Sequence, residues 1–230
     1  MLISLFNAVF RRGKSVLRRN WRPLGDGKRT VDYDIADSDS QHYPLLRAPV
    51  KGTPIVMPHQ GKSCKNGPAE KWLAFQLVRH KIEGFYDNLV LPTSGHRYEP
   101  DLAFIDEQHG IYIDIENDEP YSMGRKRLTH LIGNDDERNS HITAAGWIVL
   151  RFSELQCASS PLGVARTVME IAQSIDPTIE MPKALVDVAP VDTDARWNQD
   201  MAKKFAASNY RDTYLERFLP MYKIYNRIYK

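Results

Sequence analysis

The chain has 230 residues, 42% apolar and 26% charged, which describes a soluble globular protein of one domain plus appendages. That balance excludes a collagen-like, wholly disordered or membrane-spanning chain. The net charge of +2 hides a division: residues 1–29 carry +7, residues 196–230 carry +5, and residues 30–195 carry −10.

An acidic body between basic ends suits a centre that collects carboxylates and termini that meet a polyanion. Charge alone fits equally well with two solvated helices docked on an acidic body. Cys64 and Cys157 lie far apart and outside any paired-ligand spacing, so no disulfide or zinc framework is expected. A reducing, cytoplasmic location follows as an expectation.

The first apolar stretch, residues 1–10, is about half the length of a bilayer span, and the arginines follow it, the reverse of a secretory signal. Leu2, Ile3, Phe6, Val9 and Phe10, extended by Val16 and Leu17, recur at helical spacing. This predicts an amphipathic helix that could dock on the body, on a partner or on a membrane surface. Residues 22–67 are rich in Asp, Ser, Pro, Gly and Lys and read as a partly ordered lead-in.

Pro68 supplies a helix first-turn residue, and Trp72, Phe75, Val78 and Ile82 continue at helical spacing, predicting a helix over 68–83. Three strand-like runs follow at 85–91, 97–105 and 110–116. Residues 135–145 read as a helix, 147–152 as a strand and 161–175 as a helix. Pro177, Pro182 and Pro190 mark 176–195 as a linker, and 196–229 reads as helical with a break at Pro220. Its tyrosines, interleaved with basic residues, suit either packing or stacking on unpaired bases. The pattern predicts an α/β fold with a mixed central sheet flanked by helices, and helical extensions at both ends. Residues 1–67, 68–176 and 177–230 form the expected divisions.

In the third strand Ile111, Ile113 and Ile115 alternate with Tyr112, Asp114 and Glu116, so both carboxylates share the face opposite the isoleucines. Glu70 on the first helix and Asp101 after Pro100 complete a set of four acids. Hard carboxylate oxygens of this kind suit one or two Mg²⁺ or Mn²⁺ ions and phosphodiester hydrolysis. A solvated strand face is the ordinary alternative.

The segments "YEPDLAFID" (98–106) and "GIYIDIENDEPY" (110–121) resemble the paired strands of the PD-(D/E)XK, or restriction-endonuclease-like, nuclease superfamily. Asp135, Arg138, Ile142, Gly146, Trp147 and Arg151 fall on the pattern of its branch of very-short-patch-repair-type endonucleases. The likeness covers 68–156 and leaves both ends unexplained. It implies a DNA endonuclease serving phage defence, repair or a mobile element, with Glu70, Asp101, Asp114 and the Ile115 carbonyl as metal ligands. One departure stands out, since Glu116 occupies the position where the superfamily usually has Lys; some active restriction endonucleases carry Glu there. Glu116 would then assist the attacking water, with Lys71 or Lys126 as alternative cations. Arg138 and Arg151 are candidate phosphate donors, although Arg138 could instead pair with Asp135 or Asp114 to hold the helix against the sheet. His130 and Gln156 are weaker candidates near the site. A homodimer or a protein partner met through the basic termini is a further expectation. Loss of turnover through the Glu116 departure would leave a nuclease-fold DNA-binding subunit instead.

Overall fold

The computed structural model describes residues 17, 29–61, 67–93, 95–220 and 222. The amphipathic helix expected over the first residues, and the tyrosines Tyr225 and Tyr229, lie outside them. In chain order the elements are β1 (His42–Tyr43), β2 (Leu45–Arg47), β3 (His59–Gln60), α1 (Pro68–Arg79), β4 (Phe85–Tyr86), β5 (Leu89–Thr93), β6 (His96–Tyr98), β7 (Leu102–Asp106) and β8 (Ile111–Asp118). There follow α2 (Asp136–Ala144), β9 (Ile148–Ser153), α3 (Glu154–Ser159), α4 (Pro161–Ile175), a 3₁₀ turn (Lys183–Leu185), β10 (Asp194–Ala195), α5 (Gln199–Ala207) and α6 (Tyr210–Phe218).

A five-stranded mixed sheet in the order β2-β9-β8-β7-β4 forms the centre. Strand β8 pairs parallel with β9 and antiparallel with β7, and the outer pairs are antiparallel. Parallel pairing demands a crossover, which α2 supplies between β8 and β9. The register assigns Phe85, Leu102, Phe104, Ile113, Ile115, Ile148, Leu150 and Phe152 to one face, all of them buried. Helix α1 packs against α3 and α4, and the Glu70–Asn117 contact fixes α1 on this apolar face. Helix α2 covers the other face, which carries Asp114, Glu116, Asp118 and Arg151.

Local chemistry explains the clearest boundaries. Helix α1 begins with Pro at its first position, and the Glu70 carboxylate accepts the Gly67 N–H at 2.8 Å. Helix α4 spans the expected 161–175 and also opens on Pro. Gly146, at φ +80°, turns the chain from α2 into β9, and a Cβ there would lie 2.9 Å from the Ile55 Cα and the Pro54 carbonyl.

Elsewhere tertiary structure redraws the elements. The run at 85–91 is two strands in two sheets, divided at Asn88, which adopts φ +58°. The run at 97–105 is likewise divided around Pro100. Strand β2, in the lead-in, joins the main sheet as its edge, and α3 lies where no helix was expected.

The stretch expected as a linker is packed: Ile179 and Leu185 belong to the core, and β10 pairs with β1. The C-terminal helices are docked as well. Arg211 forks onto the Glu154 carboxylate with bonds of 2.6 and 2.5 Å, and Tyr214 donates to the same carboxylate at 2.6 Å. Tyr222 donates to Asp212 and Tyr210 stacks on Phe205, so these tyrosines are packing groups rather than a platform for bases. No helix among the described residues is long and apolar enough to cross a membrane.

Candidate active site

The β7–β8 hairpin carries the acids. Ala103 lies opposite Asp114 in the register, and its small side chain leaves room on that face. Asp114 is fully buried, and neither of its oxygens meets a hydrogen-bond donor. Its carboxyl group lies against that of Glu116, a contact that favours the protonated form of Asp114. Burial first, and the charge of Glu116 second, hold the Asp114 carboxyl well above the usual range, with Arg138 pulling the other way.

Asp101 enters the same group from the start of β7. Burial and the charge of Glu116 raise its pKa to about 8, against the stabilising Asn117 N–H, which donates to Asp101 Oδ2 at 2.9 Å. Glu70 reaches the C-terminal end of β8 from the apolar face, where Asn117 Nδ2 donates to its Oε1 at 3.4 Å. Burial and then Asp101 push the Glu70 carboxyl up as well. Acids drawn from α1, β7 and β8 therefore resist ionisation for the same two reasons, burial and mutual repulsion.

Two arginines answer part of that charge. Arg138 Nη2 donates to Glu116 Oε1 at 2.5 Å and to the Glu99 carbonyl at 3.2 Å, and its guanidinium lies over the Tyr98 ring at 5.2 Å. Its side chain is 27% exposed, and its Nε has no acceptor. Arg151 is buried and forks onto Asp118 with bonds of 2.9 and 2.7 Å, while Asn139 accepts a third bond. His130 Nδ1 lies 3.3 Å from Asp118 and 3.1 Å from Asp135. Burial opposes its protonation, but those acids outweigh burial and lift it to about 9. Burial likewise works against ionised Asp118, yet Arg151 and His130 hold it at about 2.

Several sequence expectations are corrected here. Arg151 is no phosphate donor in this conformation, because Asp118 and Asn139 consume its guanidinium inside the protein. Lys126 donates to the Ala206 carbonyl at 2.7 Å, anchoring the end of α5, and so is not a cation for the carboxylates. Lys71 is buried on α1, which removes it from a DNA-facing surface. Gln156 closes a capping box with Ser153 at the start of α3 and donates to the Asp192 carbonyl. His130 belongs to the Arg151 network. Ile115 is paired with Leu102 on one side and Leu150 on the other, which fixes the backbone between Asp114 and Glu116.

The structure adds Asp118, Glu119 and Asn139 to the group. Asp118 was legible, because the alternation of Asp114 and Glu116 continues through it. Glu119, whose carboxyl burial raises, and Asn139 carry no local signal.

The donor set suits a divalent cation. Asp114 offers two buried oxygens without a donor, Asp101 stands beside the same Glu116, and all are hard oxygen ligands. Among the described residues, two groups place three His, Cys, Asp or Glu ligand atoms within 4.8 Å of one another, and neither includes Glu70, Asp101 or Asp114. These acids therefore do not form a preformed three-ligand cage among the described residues. A cleft of about 770 Å³ lies at the opposite end of the hairpin, lined by Phe104, Asp106, His109 and Glu180 among others, and contains none of these acids. The chain matches no protein-family model, no curated protein and no solved structure.

Proposed function

We propose that this chain is a metal-dependent nuclease that hydrolyses phosphodiester bonds in DNA through a restriction-endonuclease-like core. The observation that carries the reading is Asp114: a fully buried carboxylate, without a donor, pressed against Glu116 and neighbouring Asp101 on a strand hairpin. Buried acids clustered so that they resist ionisation are found chiefly where they serve a site. The succession helix, three antiparallel strands, crossover helix and parallel strand, formed by α1, β4, β7, β8, α2 and β9, supports the same reading.

Asp101, Asp114 and the Ile115 carbonyl would hold the Mg²⁺ or Mn²⁺, with Glu70 behind Asp101. The bound ion supplies charge for the scissile phosphate and lowers the pKa of water. Glu116 is positioned beside Asp114 and oriented by Arg138, where it can accept the proton of the attacking water. Arg138, whose side chain is partly exposed, is the residue placed to grip a phosphate oxygen.

One observation favours a second reading. Arg138 already satisfies Glu116 at 2.5 Å, so a guanidinium stands near the position of the superfamily's lysine. A core stabilised in this way would bind DNA without turning it over. Incubating the protein with plasmid, linear and branched DNA and Mg²⁺ or Mn²⁺ separates the two. Cleavage by the wild type, lost in Asp101→Ala and Asp114→Ala, is the expected result. No cleavage by the wild type, or equal cleavage by the variants, refutes the nuclease.

A further inference from the structure

We propose that His96, Glu137 and His141 form a transition-metal site of the zinc class that pins the β5–β6 hairpin to helix α2. Their three ligand atoms lie within 4.8 Å of one another. Glu137 and His141 are four residues apart on α2 and so share one face of the helix. His96 opens β6 directly after Gly95, which turns the hairpin at φ +83°.

The donors are two imidazoles and one carboxylate, a set that suits Zn²⁺ and its neighbours, whereas the acids of the β7–β8 hairpin suit Mg²⁺ or Mn²⁺. Three protein ligands leave a fourth position open to water. The arrangement also includes an outer partner. The Tyr98 hydroxyl lies 3.0 Å from His141 Nδ1, which fixes the ring and leaves Nε2 to bind metal. The His96 ring stacks on Tyr98 with an 18° angle between planes and lies 4.9 Å from the His141 ring. His96 and Glu137 are exposed and His141 is half-buried, so an ion can reach them from solvent.

The other three-donor group, Asp118, His130 and Asp135, differs in kind. The Arg151 guanidinium stands 2.7 Å from Asp118 and 3.5 Å from Asp135 and already supplies its positive charge. Among the ion pairs of the described residues none engages Glu137, and the nearby Arg138 is paired with Glu116 instead. A bound ion would order Tyr98, and Arg138 rests on the Tyr98 ring while holding Glu116. The site therefore sets the position of Arg138 from outside the carboxylate group, and it stands whether or not the chain cuts DNA.

The test uses the full, untagged chain, stripped with chelator and titrated calorimetrically with ZnCl₂. One equivalent is expected to bind, and Zn²⁺ is expected to raise the melting temperature. His96→Ala, His141→Ala and Glu137→Gln should each lose both effects. Tyr98→Phe should bind about 10- to 100-fold more weakly, as expected for loss of an outer partner. Asp114→Asn should bind Zn²⁺ as the wild type does. Circular dichroism confirms folding, and Co²⁺ adds a visible band that should vanish in His141→Ala. Zn²⁺ binding that survives in the His96→Ala/His141→Ala double variant, or that is lost in Asp114→Asn alone, overturns the proposal.

Discussion

Asp114→Asn should stabilise the metal-free protein at alkaline pH while removing any nuclease activity. Asp114 is buried without a donor against Glu116, and Asp101 nearby has a pKa raised from 3.8 to about 8. A carboxyl whose pKa is higher in the fold keeps its proton there after the unfolded chain has released its own. The folded state then binds more protons, and stability falls as pH rises from about 4 to about 8. The slope is about 1.4 kcal/mol per pH unit for one such group, and the full shift of Asp101 sets an upper limit of about 6 kcal/mol. Asn at 114 removes one of the competing charges and can donate Nδ2–H to Glu116. A relief of about 2 kcal/mol corresponds to a rise of about 4–8 °C in melting temperature for a chain of this size. Thermal unfolding in chelator across about pH 5 to 8.5 measures it. The gain should be largest at the alkaline end and shrink toward about pH 5, where the wild-type carboxyls are protonated. A variant no more stable than wild type near pH 8, or a gain independent of pH, refutes the reasoning.

Arg211→Ala should cost about 3–5 kcal/mol in urea unfolding, because it strands the buried Glu154 carboxylate; an unchanged midpoint would remove α6 from the core. Gly146→Ala should lower stability by about 2–4 kcal/mol, since φ +80° and the backbone of Pro54 and Ile55 leave no place for a methyl group. His130, raised to about 9, contributes stability that is full below about pH 6.5 and lost as pH climbs through about 9. His130→Gln should therefore lower the melting temperature near neutrality and converge with wild type above about pH 9, as a pH series of thermal melts would record.

Local chemistry made much of the framework readable. Pro68 and Pro161 mark helix starts because a missing N–H costs nothing in a first turn. The alternation through residues 111–116 placed Asp114 and Glu116 on one face because side chains along a strand repeat every two residues. Those rules concern neighbours in the chain, and the structure follows them. They do not say what lies against a face once it exists. A solvated face is the ordinary fate of such an alternation, yet α2 closes over it and buries Asp114, Glu116 and Asp118. Arg151 could not be told apart from a phosphate donor until β9 paired beside β8 and set its guanidinium against Asp118. The basic C-terminal residues 196–230 suggested a polyanion grip, but Arg211 and Tyr214 are spent on Glu154, 57 and 60 residues away. His96 lies more than forty residues from His141 and joins it only because the β5–β6 hairpin folds onto α2. The sequence by itself determined which side chains share a strand face or a helix turn, since backbone geometry is local. Only the tertiary structure decided which charges are buried and with whom they pair, because those depend on partners that chain order does not bring near.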